Sequence, residues 1–151
     1  MIYGGGWRMS GSNQKVIKAA KGRADDIERS SAAIAAGGDA NARDEFNLTA
    51  FIWCARKGHI GIARVLVAAG ADIEARDNMM RTAIHHAVLF HQLAFLDYLL
   101  DIGADFSATE MHGCSALDLA LFEVGMAGVY PQIIAKLTAV GATAPKHSKQ
   151  K

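Results

Sequence analysis

Cysteine is nearly absent. Cys54 and Cys114, sixty positions apart, are the only two in 151 residues. They make neither a disulfide framework nor the spacing of a zinc finger, and they fit a reducing compartment. Long apolar runs are missing as well, which argues against a membrane span. Residues 1–12 lack the apolar stretch of a secretion signal, so a cytoplasmic protein is expected. No excess of one charge stands out. The formal net charge is +1, and Lys146, Lys149 and Lys151 crowd the last eight positions. Without them, 13 basic residues face 15 acidic ones, about −2 by the usual count. A body of that sign is a poor general binder of nucleic acid or anionic membrane. A phosphate loop is lacking too: Gly4 to Gly6 have neither the lysine nor the flanking strand and helix. What the chain does have is 51% apolar residues with 21% charged ones, enough for one core in one domain.

The chain also has a period. Gly70-Ala71-Asp72 and Gly103-Ala104-Asp105 lie thirty-three residues apart, and Gly37-Gly38-Asp39 precedes them by the same step. Asn41 to Asp44 is echoed by Glu74 to Asp77, and Thr49-Ala50-Phe51 by Thr82-Ala83-Ile84 and Ser115-Ala116-Leu117. Gly141-Ala142 closes the series five residues late. A unit of this size is too short to fold alone and must bury its apolar face on its neighbours. Within each unit the apolar residues recur at i, i+3, i+4, as a helical face does. Phe51, Cys54 and Ala55 form one such face and Ile62, Val65 and Leu66 a second; Ile84, Ala87 and Val88, then Leu96, Leu99 and Leu100, repeat the pair. Thr49, Thr82 and Ser115 stand where a hydroxyl caps a helix start. Gly70 and Gly103 stand where a left-handed residue ends one.

Each unit therefore reads as turn, helix, short loop, helix. The strings Thr82-Ala83-Ile84-His85-His86-Ala87, Thr49 to Cys54 and Ser115 to Ala120, with Gly58-His59 between helices and Gly-Ala-Asp at the unit ends, resemble the ankyrin repeat family. The resemblance implies an all-α solenoid of about four helix-turn-helix repeats, near 14–43, 44–76, 77–109 and 110–143. Residues 1–13 read as a flexible arm or cloning remnant, and 144–151 as a frayed basic tail. Alanine replaces the family's proline at 50, 83 and 116, a small expected loss of stability. His91-Gln92 stands where Gly-His is expected, so that turn calls for a non-glycine residue in the left-handed region. The segment 122–131 carries five extra residues, read as a longer loop or variant cap with a partner contact as the functional alternative.

No cofactor or metal is expected. His85 and His86 are adjacent and point about 100° apart on a helix, and His91 shares a helical face with neither. The resemblance implies that His85 is structural, bonding backbone between neighbouring turns. Cys54 reads as a small core residue. Cys114 with His112 leaves an enzymatic or small-ligand site as one alternative. Asp44, Asp77, Asp72 and Asp105 read as turn-formers bonding local amides.

What the resemblance implies about function is non-catalytic binding of another protein, as an inhibitor or adaptor, through turn tips and the exposed side of the first helices. Those positions hold Phe46, Leu48, Arg56, Met79, Arg81, Leu89, Phe90, Met111, His112 and Phe122. Solubility alone favours polar residues there, so the apolar members read as an interaction strip. Arg43, Arg56, Lys57, Arg76 and Arg81 are expected to rim it. A homodimer using the same strip is the other alternative.

Overall fold

The computed structural model describes residues 9–122 and 130–143. Eight helices occur among them, in pairs: α1 (Gly11–Lys21) with α2 (Ile27–Ala35), α3 (Ala50–Lys57) with α4 (Ile60–Ala68), α5 (Ala83–Leu89) with α6 (Leu93–Asp101), and α7 (Ala116–Phe122) with α8 (Tyr130–Ala139). The odd helices pack in series, α1 on α3, α3 on α5 and α5 on α7. The even helices form a second layer, with α2 on α4 and α6 on α8. The shift of thirty-three positions that organises the sequence thus organises the helices.

Local signals set the helix ends. Thr49 Oγ1 accepts from the Ile52 amide at 3.2 Å. Ser115 and Asp118 cap each other reciprocally: the Asp118 amide donates to Ser115 Oγ at 3.2 Å, and the Ser115 amide to Asp118 Oδ2 at 2.8 Å. Gly70 and Gly103 take φ of +88° and +81° just past α4 and α6, as the sequence leads one to expect. His91, in the place of the inter-helix glycine, takes φ +58°. α1 starts at Gly11, three residues ahead of the Gln14 boundary read from the repeat phase. Ser10 is the reason, since its Oγ caps the Asn13 amide at 3.2 Å.

The core runs through the stack between the two layers. Phe51, Cys54 and Ala55 are buried, as are Ile62 and Leu66, Ile84, Ala87 and Val88, and Leu96 and Leu99. Each large member contributes about 1.5–3 kcal/mol by leaving water. Small residues hold the backbones close. A Cβ on Gly61 would lie 2.6 Å from Ile27 Cδ1 and 2.7 Å from Asp25 Oδ2. That same carboxylate reaches across from the first helix pair and accepts from the Gly61 and Ile62 amides, both at 2.7 Å, capping α4.

The turns are stapled along the stack. Arg43 Nη1 donates to the carbonyls of Asn47 at 3.0 Å and Arg76 at 2.7 Å. Thirty-three residues on, Arg76 Nη1 donates to Met80 at 3.0 Å and Thr109 at 2.8 Å. Each guanidinium spends a donor on carbonyls of its own tip and of the next one.

Candidate partner-binding face

Three turn tips share one construction. The backbone closes from Asp44 to Leu48, from Asp77 to Arg81 and from Glu110 to Cys114 at 2.9–3.0 Å. In each tip the leading carboxylate also holds the loop from inside. Asp44 Oδ1 accepts from the Phe46 and Leu48 amides, Asp77 Oδ1 from those of Met79 and Arg81, and Glu110 Oε1 from those of His112 and Cys114. The residue before the end of each tip needs positive φ: Asn47 +60°, Met80 +60°, Gly113 +79°. Tips are joined sideways by Asn47 Nδ2 donating to Asn78 Oδ1 at 2.9 Å and by the Met111 amide donating to the Met79 carbonyl at 3.0 Å.

Two tip carboxylates also tie the tips to the odd helices. Asp44 Oδ2 accepts from Trp53 Nε1 at 2.8 Å and pairs with Lys21 at 2.9 Å. Asp77 Oδ2 accepts from His86 Nε2 at 2.8 Å. Trp53 and His86 are thirty-three apart, so an indole and an imidazole fill one structural role. Burial alone would raise Asp77. It is outweighed by the Arg81 amide and His86, which hold the carboxyl below its usual range. Burial drives the His86 imidazole down to about 4, with Arg56 and Arg81 pushing the same way, so it is neutral near pH 7.

Tip and helix together bound a groove of about 400 Å³. Phe46, Leu48 and Met79 approach it from the tips, with Asp77, Asn78 and Arg81; Trp53, Arg56, His86, Leu89 and Phe90 approach from α3 and from the end of α5. Arg56 is held between two rings, its guanidinium carbon 4.5 Å from Trp53 and 4.4 Å from Phe90. The Phe90 ring also stacks on His86 at 6.3 Å.

The groove brings together seven of the residues that the sequence placed on the strip: Phe46, Leu48, Arg56, Met79, Arg81, Leu89 and Phe90. Phe46 is 60% and Phe90 40% exposed. Leu48 is a buried member of the groove. It is only 5% exposed, so it serves as a floor and not as an exposed anchor. Leu89 and Met79 are half-buried, and the exposed methionine of the second tip is Met80. Met111, His112 and Phe122 are exposed but do not line the groove. Residues 123–129, most of the inserted segment, lie outside the described residues. Trp53, Asp77 and His86 line the groove but are not part of the predicted strip. A signal for them existed: Asp44 with Trp53 and Asp77 with His86 have the same nine-residue spacing, one period apart.

His85 is where the sequence places it. It accepts from the Thr82 amide at Nδ1, 3.2 Å, which leaves Nε2 to donate to the Cys114 carbonyl at 3.3 Å, across to the next tip. The Cys114 thiol is pushed up by burial and by Glu110 and Asp118, away from a reactive thiolate. Among the described residues no group of three or more His, Cys, Asp or Glu is placed to hold a metal.

A family model described as ankyrin repeats, three copies, matches residues 16–110. The chain belongs to the ankyrin repeat family. The match spans nearly two thirds of its length, and α7 and α8 add a further helix pair beyond it. Ankyrin repeats are generally protein–protein interaction modules, and the family is typically non-catalytic. No curated protein matches the chain. No helix among the described residues is long and apolar enough to cross a membrane.

Proposed function

We propose that the chain is a non-catalytic module that binds a partner protein through its turn tips and odd helices. The observation that carries this reading is the groove between Phe46 and Phe90. Large apolar side chains stand exposed on hydrogen-bonded turn tips. Exposed aromatic groups around a concavity are the usual anchors of protein interfaces. A pre-ordered stack also loses little conformational freedom on binding. Such a module acts by occupancy, as an inhibitor or an adaptor. Its two unpaired thiols fit a reducing, cytoplasmic setting.

The test is affinity capture from the source cell with Phe90→Ala and Phe46→Ala beside the parent chain. Ile27→Ala serves as control, being exposed but not part of the groove. Proteins retained by the parent and by Ile27→Ala, and lost with either phenylalanine variant, support the reading. Retention by all four chains contradicts it.

A further inference from the structure

The groove has an uncommitted charge. Arg56 and Arg81 both line it, as does the buried His86. Each Nε is buried without a hydrogen-bond partner, and no ion pair forms on either guanidinium among the described residues. Two of the neighbouring acids, Asp77 and Asp44, are engaged elsewhere. Asp77 spends one oxygen on the Met79 and Arg81 amides and the other on His86. Asp44 is held by Lys21, Trp53 and its own tip. Glu110 feels Arg81 only through space, and its Oε2 has no partner. With His86 neutral, the groove wall therefore carries two positive groups against one negative group.

This differs from Arg43 and Arg76, each of which spends Nη1 on carbonyls. Arg56 is instead fixed by two aromatic rings, which orient its plane and leave its charge unbalanced. A guanidinium held that way suits a carboxylate, which it can grip through two N–H groups. Phe46 and Phe90 beside it offer apolar area to a neighbouring side chain. The chain's own lysine-bearing last residues have the wrong charge to enter.

We infer that the occupant is an acidic segment of the partner protein: an Asp or Glu side chain set between Arg56 and Arg81, next to a large apolar residue packed on Phe46 and Phe90. This rests on the binding face proposed above and adds the chemistry of what it takes.

A library of random 12-residue peptides displayed on phage, selected against the full chain, tests it. Enrichment of peptides with an acidic residue beside Leu, Phe, Tyr or Trp is expected. Synthetic copies should bind at least tenfold more weakly to Arg56→Gln and to Arg81→Gln, both checked for folding by circular dichroism. They should bind unchanged to Arg64→Gln, which lies on α4 away from the groove. Replacing the acid in the peptide by its amide should have the same effect as Arg56→Gln, and raising the salt should weaken binding to the parent only. If Arg56→Gln does not fold, Arg81→Gln and the amide peptide carry the comparison.

Neutral peptides that depend on Phe90 overturn the carboxylate and leave the binding face standing. No enrichment, or peptides indifferent to both Phe90→Ala and Arg56→Gln, overturns both. Tighter binding of an oligothymidylate than of any peptide, or a concentration-dependent dimer abolished by Phe90→Ala, gives the groove another occupant and overturns the inference.

Discussion

His86 Nε2 lies 2.8 Å from Asp77 Oδ2, both side chains buried. In this family member the contact repeats, one period later, the bond between Trp53 and Asp44. An imidazole titrates where an indole does not, and the consequence is a pH dependence. In the unfolded chain the histidine takes a proton near pH 6.5; in the fold it does so only near 4. Between those values the unfolded state binds the extra proton, so stability is full above about pH 6.5 and falls as pH drops toward 4. His85, also lowered first by burial, adds in the same direction. Below 4 the loss continues as Asp77 and Asp44, both held low in the fold, become protonated. Denaturant titrations at pH 7 and pH 5 should show a loss on the order of 2–3 kcal/mol. His86→Gln, which keeps a donor toward Asp77 but cannot titrate, should lose clearly less over the same interval.

Met80 occupies the position that the neighbouring tips give to Asn47 and Gly113, all three at positive φ. A methionine there is strained, whereas asparagine and glycine are not. Met80 is 47% exposed, so the packing lost on replacing it is limited. Met80→Asn should stabilise the chain by about 1 kcal/mol and raise Tm by several degrees. Scanning calorimetry reads this directly, and an unchanged or lower Tm refutes it.

The arginines should separate into two behaviours. Arg43→Ala removes bonds to the Asn47 and Arg76 carbonyls and should lower stability by about 1–2 kcal/mol, leaving peptide affinity intact. Arg56→Gln should instead weaken the peptide at least tenfold while costing the fold only its ring contacts with Trp53 and Phe90, about 0.5–1 kcal/mol. Urea titration beside a binding curve for each variant distinguishes them.

Cys54 is buried and its thiol is pushed far up by that burial and by Asp25; Cys114 is half-exposed and pushed up less. Iodoacetamide at pH 8 should modify Cys114 slowly and Cys54 only after unfolding, as mass spectrometry of the labelled chain will show. Rapid labelling of Cys114 would point to a reactive thiol and revive a catalytic reading.

Much of the architecture is legible in the sequence because it is local. Thr49 and Ser115 cap whatever helix follows them, and Gly70 and Gly103 end one, wherever the rest of the chain lies. The period then tells which helix faces which. The groove was harder to read, since its contents depend on partners a full repeat away. Arg43 and Arg56 look alike in the sequence, yet one reaches a carbonyl thirty-three residues on and the other is caught between two rings. Leu48 and Phe46 lie two residues apart in one tip. Asp44 holds both amides, yet the first side chain is buried and the second exposed, a difference set only in the folded tip. Met79 and Met80 were likewise indistinguishable until the left-handed turn set which side chain stands exposed.

The central claim is that a partner docks where the tips meet the odd helices. Amide hydrogen exchange of the full chain, with and without the captured partner, tests it most directly. Slowed exchange in the complex should concentrate in residues 44–56 and 77–90. Slowed exchange confined to α2, α4, α6 and α8, with those two segments unchanged, would contradict it.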